Sequence, residues 1–218
     1  MSSAQSKSDH SQFFWRKLHS ISGIIPVGAY LADHLWSNSY ALVSVPLYNA
    51  KSQELQTVPW RLAVEITVIW LPILYHSLYG VYVWLKGQNN VSQYPWVGNW
   101  MYTLQRYTGL IAFAFIGFHF YTERLLTHGK STFAQVQGKL ENPWYLAFYL
   151  IGVLAVSTHF GAGIWNFLCK WGITATQRSQ RAAGYLGVVV AAVFSVVSVA
   201  IVLGIRYDWH PFSFYIAK

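Results

Sequence analysis

The sequence predicts an all-α integral membrane protein whose chain crosses the bilayer as five helices. Three observations carry this. Hydrophobic residues make up 54% of the 218 positions and charged residues only 10%, too little charge to cover a water-soluble globule of this length. Five apolar stretches reach the roughly 20 residues that a helix needs to cross a hydrocarbon core. The chain also holds 11 Trp, 15 Tyr and 13 Phe, residues suited to the headgroup belts at the two membrane surfaces.

The first stretch, 16–39, follows a polar, Ser-rich tail and begins at Arg16 and Lys17. It carries Asp33 and His34 near its far end, so it reads as a retained span and not as a removable leader. The connection from Tyr40 to Val58 is mixed in polarity and has room for a short interfacial helix. Pro59 and Trp60 open the second span, 60–86, which the run Gly87 to Asn90 closes, and Pro72 is placed to kink it. The third span covers 100–126. Asn142 followed by Pro143 is a helix-start signal for the fourth, 143–170, and the fifth occupies 182–206. All five belong to one domain, 1–218, and the first four are expected to form the bundle that carries function.

An odd number of spans leaves the termini on opposite sides. Lys7, Arg16, Lys17, Lys86, Arg106, Lys170, Arg178 and Arg181 fall on the side of the N-terminus, 8 of 15 basic residues, which favours a cytoplasmic N-terminus. The formal charge of +8 is scattered over helix ends, where it meets headgroups or an acidic cofactor, and no nucleic-acid motif accompanies it. The single cysteine, Cys169, excludes an internal disulfide, an iron–sulfur site and a CxxCH haem attachment.

Function is expected where polarity is expensive. His34, His76, His119 and His159 each lie in a different apolar stretch. An unpartnered polar group in hydrocarbon costs roughly 2 to 7 kcal/mol, so four idle imidazoles would consume about the whole stability of a typical fold. Their depths match in pairs. His76 stands 10 residues before Lys86 and His159 stands 11 before Lys170, on helices that run the same way. His34 lies 17 residues beyond Lys17 and His119 lies 13 beyond Arg106, forming a second level about 10 Å away at 1.5 Å per residue.

A twofold internal repeat supports the pairing. HSISG (19–23) precedes His34 as QRYTG (105–109) precedes His119, and Gly80 and Gly163 each follow a histidine at i+4. A glycine one turn from a ligand admits a flat macrocycle to the backbone; close helix packing is the competing use. Two histidines without a third Cys, Asp or Glu suit a six-coordinate haem iron better than zinc. Such a site moves electrons and leaves no position for substrate.

The other histidines read differently. His10 is in the polar tail, His128 follows the third span, and His210 sits beside Trp209 and Pro211 near the C-terminus. His19, with Arg16, Arg106 and Lys17, is placed to meet haem propionates, headgroup anchoring being the other reading. Glu65, an intramembrane acid, is the candidate proton donor to a quinone, with Asp33 and Glu54 as rivals. Pairing with Arg61, one turn earlier, would instead make Glu65 structural.

The segments RKLHSISGIIPVGAYLADH (16–34), RLAVEITVIWLPILYHSLYGVYVW (61–84), NWMYTLQRYTGLIAFAFIGFH (99–119), FYLIGVLAVSTHFGAGIWNF (148–167) and KWGITATQRSQR (170–181) together resemble the five-helix cytochrome b membrane anchor of Bacillus-type succinate dehydrogenases, related to the dihaem fumarate reductase anchors. The resemblance implies two b haems, His34 and His119 binding the one distal to the catalytic subunits and His76 and His159 the proximal one. It also implies a flavoprotein that oxidises succinate, an iron–sulfur subunit docked at the cytoplasmic face of a bacterial inner membrane, and a quinone acceptor of the menaquinone type. Protons drawn from the outer side would let the membrane potential assist such a transfer, by about 2.3 kcal/mol per charge per 100 mV. A free-standing b-type electron carrier, an anchor of another quinone-linked oxidoreductase and a haem-free transporter with a histidine relay are the alternatives.

Overall fold

In the computed structural model residues 3–215 are described, with side chains from 11 to 214, so the side chain of His10, placed in the polar tail by the sequence, lies outside them. All regular structure among the described residues is helical. Helix α1 (Ser3–Ile24) and helix α2 (Pro26–Ser39) meet at Ile25, where Pro26, lacking an N–H, restarts the helix. The connection that follows does hold a short helix, α3 (Val45–Glu54), whose cap is Ser44 accepting from the Leu47 N–H.

Helix α4 (Arg61–Lys86) carries a π-helical segment, Glu65–Trp70, immediately ahead of Pro72. The expected irregularity at Pro72 is therefore accommodated as a widened turn preceding the proline. Helix α5 (Val97–Phe120) also runs into a π-helical segment, Tyr121–Leu125. Helix α6 (Phe133–Leu140), capped by a Thr132–Gln135 capping box, was not expected. Helix α7 (Pro143–Lys170) starts at the Asn142 cap, and helix α8 (Gln177–Tyr207) starts at a Thr176–Ser179 box.

Three of these helices, α4, α7 and α8, are long and apolar enough to cross a membrane by length and composition. The other two expected spans are those most loaded with polar groups. The first is broken at Ile25, and the third carries Gln105, Arg106 and His119.

Helix α7 is the hub, packing on α8, α5 and α1, while α1 also lies against α4. Where α7 crosses α8, Gly161 and Gly187 face one another so closely that a Cβ on either would enter the other's main chain. The interior cluster gathers at one end, with Phe115, Tyr149, Ile201, Val202 and Ile205 of the long helices meeting Leu42, Tyr48, Phe133 and Leu140 of the connections. Burial pushes the Tyr48 phenol up to about 12. Large apolar side chains elsewhere, such as Leu62, Leu71, Leu74 and Leu78 on α4 and Val188, Val189 and Val196 on α8, face outward, as lipid-contacting surfaces require.

Candidate functional site

The helix packing brings the four histidines together two by two. The rings of His76 (α4) and His159 (α7) have centroids 6.2 Å apart with planes at 79°. Those of His34 (α2) and His119 (α5) are 5.7 Å apart at 78°.

In the first pair the local geometry repeats. His76 Nδ1 lies 2.9 Å from the His19 carbonyl oxygen, and His159 Nδ1 lies 2.9 Å from the Gln105 carbonyl oxygen. A carbonyl only accepts, so each ring carries its proton on Nδ1 and keeps Nε2 unprotonated. Room for the rings comes from Gly23 and Gly109, one turn after those carbonyls. A Cβ at Gly23 would lie 2.3 Å from His76 Cε1, and one at Gly109 would lie 2.7 Å from His159 Cε1. At Gly80 and Gly163, the glycines that follow the histidines, a Cβ would lie 3.2 Å from His19 Cε1 and 3.6 Å from Gln105 Nε2. Gly23, Gly109 and Gly80 thus each admit a histidine ring of a facing helix.

The second pair is held by side chains. His119 Nδ1 is 3.1 Å from the Tyr149 hydroxyl, whereas the ring nitrogens of His34 have only the Asn38 amide at 3.5 Å.

A haem fits these pairs better than any all-protein metal site. Among the described residues no group of three or more His, Cys, Asp or Glu is arranged to hold a metal ion, yet a macrocycle that supplies four nitrogens needs only two axial ligands. With imidazole–metal bonds of about 2 Å, two axial rings have centres about 6 Å apart, as both pairs do. Two buried polar atoms beside the first pair, His19 Nδ1 and Gln105 Oε1, lack a partner. They occupy equivalent places in the repeat, and the amide end of Gln105 is assigned, so either atom of it can face a ligand.

The other sequence-derived candidates are more dispersed. His19 stacks on His76 at 4.1 Å and 11°, so it belongs to that level. Arg16 is exposed. Arg106 is turned toward the C-terminal end of α4, donating to the carbonyls of Trp84 and Gly87 and to the Tyr102 hydroxyl. Glu65 accepts from Arg61 at 2.6 Å and from Arg124 at 2.7 Å, joining the two π-helical segments. Glu54 pairs with Lys51, and Asp33 is exposed. His210 donates to the Ala41 carbonyl and ties the chain's C-terminal part to the α2–α3 connection.

Residues 85–198 match the family model for the succinate dehydrogenase/fumarate reductase transmembrane subunit. The chain is 38% identical over 192 residues to the succinate dehydrogenase cytochrome b558 subunit of Bacillus subtilis (strain 168), covering 87% of this chain and 95% of that one. This chain belongs to the succinate dehydrogenase/fumarate reductase transmembrane-subunit family. A second relative, the succinate dehydrogenase hydrophobic membrane anchor subunit of Thermoplasma acidophilum, is 30% identical over 91 residues, 41% of this chain and 70% of that relative. Membership makes the protein an integral membrane subunit of a succinate dehydrogenase-type complex.

Within this family member, one group of polar residues escaped the sequence reading. Glu123, Lys139, Tyr145 and Tyr149 form a hydrogen-bonded cluster beside His119. The available signal was Glu123 at i+4 from His119 and Tyr149 at i+4 from Tyr145.

Proposed function

We propose that this chain is the five-span cytochrome b anchor of a bacterial succinate dehydrogenase, passing electrons from an iron–sulfur subunit toward a membrane quinone. The observation that carries the reading is the two histidine pairs, each with the ring separation of two axial ligands. When bound, a b haem at each pair supplies a one-electron carrier that is closed to substrate.

The chain's own residues hold and orient. His76 and His159 are fixed by main-chain carbonyls with Nε2 free, which presents both rings to one metal. His34 and His119 are proposed to hold the second metal, distal to the catalytic subunits, with His119 fixed by the Tyr149 hydroxyl and not by a main-chain carbonyl. His19, Arg16 and Arg106 are the groups proposed to meet the propionates, and the two unpartnered atoms of His19 and Gln105 support a polar ligand edge there. Glu65 is proposed to deliver protons to the quinone, of the menaquinone type, near the distal level, its bonds to Arg61 and Arg124 being the competing structural role. Succinate oxidation resides on a partner flavoprotein, and the N-terminus faces the cytoplasm with the partners.

The deciding experiment is purification with native partners, followed by a pyridine haemochrome assay and succinate-to-quinone turnover. Two b haems per chain and copurifying flavin and iron–sulfur subunits are expected. Absence of a Soret band removes the cytochrome assignment, and a haem-loaded chain without those partners favours a free-standing carrier. Quinone reduction by Glu65→Gln at the wild-type rate, with both haems retained, removes Glu65 from proton delivery.

A further inference from the structure

The two histidine pairs are secured in different ways. At His76 and His159 the Nδ1 protons go to main-chain oxygens. At His119 the partner is the Tyr149 hydroxyl at 3.1 Å, and that hydroxyl is itself 3.3 Å from Glu123 Oε1. A phenol has one hydrogen and two lone pairs, and a carboxylate only accepts. Tyr149 therefore donates to Glu123 and accepts from His119 Nδ1–H, which leaves Nε2 of His119 unprotonated. The Tyr145 hydroxyl lies 3.1 Å from that of Tyr149 and 3.3 Å from Glu123 Oε1, so its one hydrogen can serve either. Glu123 is further fixed by Lys139 and Ser131, each at 2.7 Å, and its side chain is only 15% exposed.

The internal repeat makes this arrangement specific. The residue four places after His34 is Asn38, whose best bond returns to the His34 carbonyl at 2.8 Å, whereas four places after His119 stands Glu123. Ten residues before His76 is Ile66, and ten before His159 is Tyr149. The first half of the repeat has Asn and Ile where the second half has a hydrogen-bonded acid and phenol.

We propose that Tyr149 and Glu123 are positioning residues that tune a metal held by His34 and His119, lowering its reduction potential through the His119 ring. This rests on the haem reading above. A hydrogen bond from the far nitrogen of a ligating imidazole raises the basicity of the near one, and a charged acceptor behind that bond strengthens it. A more basic axial ligand stabilises the oxidised metal. Lys139 shares the carboxylate, which damps the effect without removing it, because Tyr149 still donates to the same oxygen.

The test is a redox titration of the two haem absorbance bands in the purified complex, for wild type, Tyr149→Phe and Glu123→Gln. Glu123→Gln touches no ligand, so it separates tuning from packing. Both variants are expected to keep two haems and to raise one midpoint potential while the other holds. A tenfold change in the oxidised-to-reduced ratio at fixed ambient potential, about 59 mV for one electron, is the size expected for Tyr149→Phe, with a smaller shift in the same direction for Glu123→Gln. Unshifted potentials in Glu123→Gln, equal shifts of both haems, or loss of haem from both variants overturns the proposal. A wild-type complex without haem instead overturns the reading beneath it.

Discussion

His159 donates its Nδ1 hydrogen to the carbonyl oxygen of Gln105 at 2.9 Å, and the turn between Gln105 and Gly109 leaves the backbone bare where the ring rests. His76 repeats this on His19 and Gly23. The side chain at position 109 therefore controls where His159 points. Gly109→Ala places a methyl 2.7 Å from Cε1 and 2.9 Å from Nδ1, too close for the ring to stay. Misoriented ligands commonly cost about 10- to 100-fold in metal affinity. The expected outcome is loss of one haem of two with the chain still in the membrane, read by haemochrome assay on isolated membranes. Two haems at wild-type occupancy would show that the ring placement is not what binds the iron.

Pairing makes a second prediction. If His34 and His119 share one metal, then His34→Leu, His119→Leu and the double variant should each retain one haem, because removing either axial ligand already empties the site. Leucine keeps the helices apolar, so insertion is preserved. Additive losses, with the double variant lower than the singles, would mean that the rings serve separate sites.

How much of this was legible follows from what periodicity measures. Depth along a helix is fixed by 1.5 Å per residue, so residue counts from Lys86, Lys170, Lys17 and Arg106 were enough to match His76 with His159 and His34 with His119, and the folded chain brings the rings of each pair close together with their planes nearly perpendicular. Depth says nothing of azimuth. Residue counts therefore could not show that Arg106 bonds the carbonyls at the end of α4, or that a Cβ at Gly80 would meet the His19 ring. The cluster around Glu123 depends on α5, α6 and α7 meeting, a tertiary fact that spacing along one helix cannot contain. Helix α6 was missed because eight residues bear too few turns for a periodic signal.

Glu65 and Arg124 define a third prediction. Their bond joins the π-helical segments of α4 and α5, and the carboxylate side chain is 14% exposed. Arg124→Ala removes two hydrogen bonds to a charged acceptor but leaves Arg61 in place. Such bonds contribute about 1.5 to 3 kcal/mol, so the detergent-solubilised complex should melt several degrees lower with Glu65 still compensated. Arg61→Ala and Arg124→Ala combined should exceed the sum of the singles, since an unpaired buried carboxylate costs about 3 to 5 kcal/mol. Strict additivity would show that the two guanidiniums do not share one acid.

The last prediction separates scaffold from site. Helix α8 meets α7 where Gly161 and Gly187 approach main chain to main chain, a contact that depends on the absence of Cβ atoms. Gly187→Leu must drive the two helices apart, and overpacking of this kind costs about 1 to 3 kcal/mol. None of the four paired histidines lies on α8, whereas α7 carries His159 on the side that meets α4 and Gln105 of α5. The variant should therefore lose thermal stability and become sensitive to proteolysis near the α7–α8 turn while retaining two haems. Loss of haem in proportion to the loss of stability would instead mean that α8 presses α7 into the register that sets His159 against His76, and the first four expected spans would no longer suffice to build the site.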